Sequence, residues 1–359
     1  MRIGLDARMI DHSGIGTYIK NLLYFLPKIS NYEYVLFGNT ERLKMYNIPV
    51  YESKAPIYSI QEQIMFPNII KKSNIDLFHS PHYITPILYN GKMVATIHDL
   101  IHLIFPEYLS SKMANLYSKY MVKSACKKSK RIITISRNTK KDIINHFNVD
   151  ESKIKITYLA ASEIFKPSSV TAEDMRIKYG KYLLYVGAIR PHKNILFLLD
   201  LFKKLKKEKK ITHKLILIGK GKVPYINEVR RKIYDYSMQN DVLIIEEIKQ
   251  EQIAEFYCGA DLFVFPSLYE GFGLPPLEAM ACGCPVVSSQ ASSLPEVIGD
   301  AGIQVNPADK EQFLNSVYIV LTDEKIRKEL IEKGYKRVKL FSWEKTAKET
   351  LSVYEEVLQ

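Results

Sequence analysis

The sequence predicts an α/β protein built from two doubly wound units, and three observations carry that prediction. Short, continuous apolar runs recur along the chain, as in Leu215-Ile216-Leu217-Ile218. Runs without polar alternation are buried on both faces, as in parallel sheets covered by helices. The segments between them, such as 15–26 and 194–208, carry apolar residues at helical spacing. The alternation then starts afresh after Phe165-Lys166-Pro167, where an Xaa-Pro step disfavours helix and suits a connector.

Taken in order, the first half predicts strands near 2–7, 33–37, 75–78, 93–97, 131–135 and 154–157. The second half predicts strands near 182–187, 213–218, 242–245, 261–265, 285–288 and 302–305. The expected domains are 1–166 and 167–342. A last helix over 343–359 has no strand to follow it. That helix can pack on either unit, and packing back on the first is the arrangement carried forward. Trp343 reads as the side chain that docks it.

The 359 residues are 47% hydrophobic and 25% charged, an ordinary globular balance whose length suits two domains. No run of 18 apolar residues is present, so no membrane-spanning helix is expected. The N-terminus reads as a strand from its second residue and lacks the layout of a signal peptide, which predicts a cytoplasmic protein. Cys126, Cys258, Cys282 and Cys284 form no CxxC and have no zinc-ligand spacing with histidine, so buried thiols are expected. The net charge of +12 is compatible with nucleic acid, an anionic membrane or phosphorylated substrates, and by itself selects none of them.

Ligands of open α/β sheets bind at the carboxyl ends of strands. Four polar constellations follow predicted strands. After the first strand, Gly14-Ile15-Gly16 opens a helix whose apolar face is Tyr18, Ile19, Leu22, Leu23 and Leu26. Glycine lets backbone approach a ligand, and a helix start favours anions. The third glycine of a dinucleotide fingerprint is absent, since Ile19 stands there. His98-Asp99 ends the strand near 93–97; such a histidine can donate to a hydroxyl or take its proton. In the segment Val186–Asn194, Arg190 and Lys193 can neutralise phosphate oxygens.

The fourth constellation, Pro266 to Val287, is the most informative. Glu270 lies in a loop, Gly271 and Gly273 expose amides, and Pro275-Pro276 suits the first turn of a helix. Gly283 can end that helix, and Glu278 is expected in its first turn. Amides between two carboxylates can hold a diphosphate, while the carboxylates accept hydrogen bonds from ribose or sugar hydroxyls. The plain alternative is that Glu278 merely complements the helix start.

At these residues the chain resembles the retaining glycosyltransferases of family 4, which have the GT-B fold. Glu270 to Glu278 matches the family's E-x7-E within F-P-S-L-Y-E-G-F-G-L-P-P-L-E-A-M-A-C-G-C-P-V. Val186–Asn194 resembles its V-G-x-x-x-P-R-K-N, Gly14-Ile15-Gly16 its glycine loop, and His98-Asp99 its T-x-H-D. Gln61-Glu62-Gln63, Ser80-Pro81-His82-Tyr83, Ser136 and Leu294-Pro295-Glu296 also fall where the family places similar residues. The resemblance covers essentially the whole chain. It implies two Rossmann-like domains facing each other across a cleft, the first binding the acceptor and the second the nucleotide sugar.

By the same resemblance, Glu278 binds ribose hydroxyls and Glu270 the hydroxyls of the transferred sugar. Amides at Phe272, Gly273 and Leu274, beside Gly271, lie near the diphosphate or sugar. Lys193 neutralises the leaving diphosphate, His98 sits beside the reacting sugar, and Gly14 and Gly16 close over the donor phosphates. His98, Lys193 and Glu270 are thus the implied catalytic residues. One departure stands out: Ala188 occupies the place of a basic residue that many members have, so Arg190 is the candidate substitute.

Developing negative charge on the leaving group is the main chemical problem, which preorganised cations and amides address. No two aspartates lie two positions apart, so the Asp-x-Asp of metal-dependent transferases is missing. No metal and no cofactor are expected, with Lys193, Arg190 and helix ends replacing an ion. Configuration is retained in the family by front-face attack, which makes neither glutamate a nucleophile, unlike a retaining hydrolase. The E-Q before the 75–78 strand and the T-x-H-D after it resemble bacterial mannosyltransferases of surface polysaccharide and lipopolysaccharide assembly. GDP-mannose is therefore the favoured donor, with UDP-sugars open, and a glycan or lipid-linked glycan is the acceptor.

Residues 110–130 predict an amphipathic helix with Met113, Leu116, Tyr117, Tyr120 and Met121 on one face and Lys112, Lys119, Lys123 and Lys130 on another. Such a stripe can be a solvated face or can meet anionic lipid, which would make the protein peripheral at the inner face of the cell membrane. The alternatives to glycosyl transfer are a GT-B-fold epimerase and, in another class, a basic nucleic-acid-binding protein. No reader helix or aromatic platform for nucleic acid is present, so no nucleic-acid partner is expected.

Overall fold

A computed structural model of the chain describes residues 1–108 and 111–359. It divides into two compact units, Met1–Leu159 with Ser342–Gln359, and Ala160–Phe341. The division falls at Leu159, a few residues before the Lys166-Pro167 step expected from the sequence, and the last helix clusters with the first unit.

The first unit has a seven-stranded parallel sheet. Its strands are β1 (Arg2–Asp6), β2 (Glu33–Gly38), β3 (Val50–Glu52), β4 (Leu77–Ser80), β5 (Met93–Ile97), β6 (Arg131–Thr134) and β7 (Ile154–Ile156), in the order β3-β2-β1-β4-β5-β6-β7. The second unit has a six-stranded parallel sheet of β8 (Tyr182–Val186), β9 (Lys214–Ile218), β10 (Val242–Ile245), β11 (Leu262–Phe265), β12 (Val286–Ser289) and β13 (Ile303–Val305). Its order is β10-β9-β8-β11-β12-β13. The apolar runs are buried as their lack of alternation requires: every residue of β4, β5, β8, β11 and β12 is buried. Strand β3 was not anticipated. It has three residues, all at least partly exposed, on the edge of the sheet, so it lacks the apolar run that marks a central strand.

Both sheets reverse their winding once, between β1 and β4 and between β8 and β11. Crevices at such switch points, outside the carboxyl ends of the strands, are where open sheets bind ligands.

The helix Trp343–Leu358 lies against the helix Ile15–Ile29 within the first unit. Trp343 is buried, as its docking role requires. Tyr354 Oη and His79 Nδ1 are 2.6 Å apart, and His79 Nε2 and Thr96 Oγ1 are 2.8 Å apart. Burial pushes the His79 pKa down to about 3, so the imidazole is a neutral structural link. Glu356 adds ion pairs to Arg131 (3.0 Å) and Lys155 (2.8 Å).

The helix expected over 110–130 spans Lys112–Lys128; Ser110 lies outside the described residues. Its apolar side chains do not share one fate. Met121 is buried and Tyr117 half-buried, while Met113, Leu116 and Tyr120 are 74%, 64% and 55% exposed. Only the inner part of the face meets the core, so three large apolar groups reach solvent beside the exposed Lys112, Lys119 and Lys123. No helix among the described residues is long and apolar enough to cross a membrane.

Candidate active site

In the second unit the loops after β8 and β11 meet at the switch point. After β8, Pro191–Lys193 forms one tight turn, and Asn194 at φ 60° leads into the helix Ile195–Glu208. The Leu268 amide donates to the His192 carbonyl (2.7 Å), joining the two loops. Lys193 Nζ then donates to both Glu270 oxygens, at 2.5 and 2.7 Å. The two side chains are only 14% and 11% exposed. Arg190 is half-buried; its carbonyl accepts from the Lys193 amide (3.0 Å), and its side chain has no hydrogen bond or ion pair among the described residues, so its fork is available to an anion.

The peptide around Glu270 is fixed from the other side. Its amide donates to Ser292 Oγ (2.7 Å), and its carbonyl accepts from Ser292 Oγ (3.0 Å) and Ser293 Oγ (2.9 Å). Ser293 Oγ also reaches the Phe272 carbonyl at 2.6 Å. Gly271 is half-buried in this loop. The helix Leu274–Ala281 begins after Gly273, whose φ of 118° suits a residue without a Cβ. A helix leaves its first four amides unpaired. Pro275 and Pro276 have no N–H, so the free donors at this helix start are those of Gly273 and Leu274. Gly283, at φ 78°, ends the helix, with the Cys284 amide on the Ala279 carbonyl (2.9 Å) and its own on Met280 (3.1 Å).

Glu278 lies in the second turn of this helix, not the first as expected, because the helix starts at Leu274, ahead of the prolines. At that position it no longer serves the helix start, which removes the plain capping explanation. One oxygen accepts from the buried Tyr257 hydroxyl at 3.2 Å. Part of the side chain reaches solvent, but the protein packed around the carboxyl pushes its pKa up to about 7 by desolvation.

In the first unit, His98 follows β5. Its Nε2 donates to the Pro81 carbonyl (2.9 Å), which leaves Nδ1 with a lone pair. Burial lowers its pKa, against the Pro81 bond and Asp99, so the ring is neutral. This histidine accepts a proton or hydrogen bond at Nδ1; of the two roles foreseen, donation through Nε2 is already used. Tyr18 meets its ring edge-on, centroids 5.1 Å apart. Gly14 caps the helix Ile15–Ile29 at φ 78° and Gly16 lies in its first turn. Gly14, Gly16 and His98 therefore belong to the first unit, and Arg190, Lys193, Glu270–Leu274 and Glu278 to the second.

Two family models cover this arrangement: "Glycosyltransferase Family 4" over residues 12–160 and "Glycosyl transferases group 1" over residues 172–337. The chain is 32% identical over 285 residues to an O-antigen chain mannosyltransferase B of Escherichia coli, covering 77% of this chain and 74% of that one. The chain belongs to the family 4 glycosyltransferases. It is also 31% identical over 251 residues to the O-antigen chain mannosyltransferase RfbU of Salmonella typhimurium, covering 69% of this chain and 66% of that one. Among solved structures, Anabaena Alr3699/HepE in complex with UDP and glucose superposes with a TM-score of 0.80 at 17% identity, covering 99% of both chains. The glycosyltransferase thus has the GT-B pair of Rossmann-like domains.

Sequence reasoning missed Ser292, Ser293 and Tyr257. Each touches the site through another residue, and serine or tyrosine in a loop or helix carries no spacing signal for that work. The nearest signal was Leu294-Pro295-Glu296, directly after the two serines.

Proposed function

We propose that this glycosyltransferase moves a hexose, mannose being favoured, from a nucleoside-diphosphate sugar to a hydroxyl of a glycan or lipid-linked glycan. The observation that carries this reading is the Lys193–Glu270 pair beside the two free amides of Gly273 and Leu274, with Glu278 one turn further on. In the proposed complex the diphosphate takes Lys193, Arg190 and the two amides. Glu270, released from Lys193, accepts from sugar hydroxyls, and the unshared oxygen of Glu278 accepts from the ribose. The second unit holds the donor and the first the acceptor. GDP-mannose is the favoured donor because the O-antigen relatives are named mannosyltransferases; UDP-sugars are the alternative.

Lys193, Arg190 and the helix start supply positive charge where the leaving diphosphate develops negative charge, so the proposed reaction needs no metal and no cofactor. Retention of configuration follows if the acceptor hydroxyl attacks the face the diphosphate leaves. The C–O bond to the diphosphate breaks, the bond to the acceptor oxygen forms, and the departing phosphate oxygen takes the acceptor's proton.

The partner surface we propose for a lipid-linked acceptor is an anionic membrane. Residues 112–155 hold twelve Lys and Arg against three Asp and Glu, a net +9 of the chain's +12. Met113, Leu116 and Tyr120 stand exposed at the start of that segment, the combination that binds anionic lipid.

Thermal stabilisation by GDP and by UDP, without metal, on wild type and Glu278→Ala tests the donor reading. Nucleotide at 100 times its dissociation constant adds about 2.7 kcal/mol of stability. Stabilisation by one nucleotide, lost in Glu278→Ala, supports the reading and names the base. No stabilisation by either overturns it. Product analysis with the matching sugar donor then separates transfer from epimerisation.

A further inference from the structure

The candidate active site lies at the carboxyl ends of the second sheet, and the opposite edge of that sheet carries a second concentration of charge. A cavity of about 370 Å³ lies there, and Arg176, Lys181, His213, Asp261 and Arg327 are among the residues that line it. Lys181 directly precedes β8, His213 precedes β9 and Asp261 precedes β11, so the cavity sits where these strands begin. Strand β8 has five residues, which puts about 15 Å between this edge and the loop that follows the strand. The cavity is therefore separate from the Lys193–Glu270 pair.

Asp261 is its buried anchor. Oδ1 accepts from Arg176 Nη2 (3.1 Å), and Oδ2 accepts from the Tyr182 amide (3.2 Å). Arg327 Nη2 lies 3.5 Å from Oδ1 and His213 Nε2 lies 3.6 Å from Oδ2, both longer than the usual hydrogen bond. Beside Asp261, the Ala260 carbonyl takes the Cys284 thiol at 3.8 Å; burial pushes the pKa of that thiol up, so it adds no negative charge. Of the other cysteines, Cys126 and Cys282 are buried as expected, and Cys258 is half-buried.

The charge in this cavity does not balance. Arg176, Lys181 and Arg327 bring three fixed positive charges to it and Asp261 one negative charge, an excess of two. Burial lowers the His213 pKa, against Asp261, so the ring is neutral; its Nδ1 is buried and has no hydrogen-bond partner among the described residues. Lys206, whose Nζ reaches the His213 carbonyl at 3.5 Å, is already paired with Asp241 at 2.8 Å. Lys181 is exposed, and its ammonium has no hydrogen bond or ion pair among the described residues. A guanidinium has five N–H donors, and the one carboxylate present is shared by two of these groups, so most of their donors have no protein acceptor. Like charges gathered at one place repel, and an oxyanion that accepts from both forks relieves that repulsion.

We propose that this cavity binds a phosphate group, held by Arg176, Lys181 and Arg327, with Asp261 fixing the two guanidinium groups from behind. Arginine forks match phosphate oxygens in pairs, and the lysine adds a point charge. The cavity has room for about a dozen waters at ~30 Å³ each, enough for a phosphate ester as well as the free anion. Half-buried Leu321 offers an apolar wall to the ester's organic part. The site is independent of the donor reading above, because it shares no residue with the donor pocket.

The test is calorimetric titration of the full-length protein with inorganic phosphate and with glucose 6-phosphate, in chloride at constant ionic strength. Because a donor pocket can also take phosphate, the titration is repeated on the double variant Lys193→Met, Glu270→Gln, which should still bind. Lys181→Met should weaken binding at least threefold, and Lys181→Met with Arg176→Met at least tenfold, while Lys181→Arg keeps most of the affinity. Both side chains are exposed, so the variants should unfold at the wild-type temperature without phosphate, and their response to GDP and UDP should be that of the wild type. Glucose 6-phosphate binding tenfold tighter than phosphate would name an ester as the occupant, and equal affinities would name the free anion. No saturable binding to the wild type at tens of millimolar would overturn the proposal. So would binding that survives Lys181→Met with Arg176→Met and disappears in the Lys193–Glu270 double variant, which would assign the phosphate to the donor pocket and leave that reading intact.

Discussion

Two strand-to-helix turns, Ala7–Gly14 after β1 and Pro266–Gly273 after β11, sit at the switch points of their sheets and end in a glycine with positive φ. The resemblance stops there. The first is stitched by its own backbone: Ile10 to Ala7, His12 to Met9, and Gly16 to His12 at 2.7 Å. A Cβ on Gly14 would meet nothing within 4 Å. The second is gripped from outside by Ser292 and Ser293, and a Cβ on Gly273 would lie 2.9 Å from Leu294 Cδ2. Each turn also has buried charge nearby. Arg8 holds Asp6 and Glu62, both at 2.7 Å, and lies 3.7 Å over the Phe66 ring. That cluster ties β1 to the helix Ile60–Lys72 and serves the fold. Lys193–Glu270, one to one and slightly more exposed, is available for exchange with a ligand. The same backbone device thus gives an open approach in one unit and a preformed charged frame in the other.

The largest effect should come from splitting the buried pairs. Lys193→Met strands Glu270 and should cost about 3–5 kcal/mol in urea unfolding. Adding Glu270→Gln should restore more than half of that. Arg8→Met, which strands two carboxylates, should destabilise at least as much yet leave the nucleotide dissociation constant unchanged. Nucleotide binding lost in Arg8→Met and kept in Lys193→Met would break the comparison.

A titration comes next. Folded Glu278 keeps its proton up to about 7, whereas the unfolded chain releases it near the ordinary 4.5. The unfolded chain therefore binds fewer protons between those values, and stability falls as pH rises through that window. The loss is on the order of 3 kcal/mol. Glu278→Gln should flatten that part of the ligand-free stability curve, and superimposable curves for the two proteins would show that the carboxyl is not desolvated.

The glycines sharpen the contrast directly. Gly273→Ala combines strained backbone with contact against Leu294 and should cost about 2–3 kcal/mol, while Gly14→Ala pays for backbone alone, about 1 kcal/mol. Equal losses in thermal unfolding would mean that the second turn is no tighter than the first. The smallest effect is expected at the clamp. Ser292→Ala should lose about 1 kcal/mol through its hydrogen bonds. Ser292→Gly should lose less, since glycine relieves the φ of 46° at that position.

Much of this molecule was legible in one dimension. Twelve of the strands fall where the sequence placed them; in strands such as β8 and β11 burial on both faces removes polar alternation, whereas β7 and β13 carry Lys155 and Gln304 and are partly exposed. The E-x7-E was legible as a pattern, and the glycine before its helix is set by a local backbone need, the positive φ of Gly273. The tertiary structure decided what those groups do to each other. Lys193 and Glu270 are 77 residues apart, and only the order β8-β11 puts their loops side by side. Tyr354 reaches His79 across 275 positions, a pairing that a lone amphipathic helix could have made with either unit. The tautomer of His98 was fixed by a carbonyl 17 residues away, and the second-turn place of Glu278 by a helix that opened before its prolines. Periodicity records which residues must be buried, and it is local. Partners across a sheet are chosen by the crossover connections, and no stretch of sequence contains both ends of that choice.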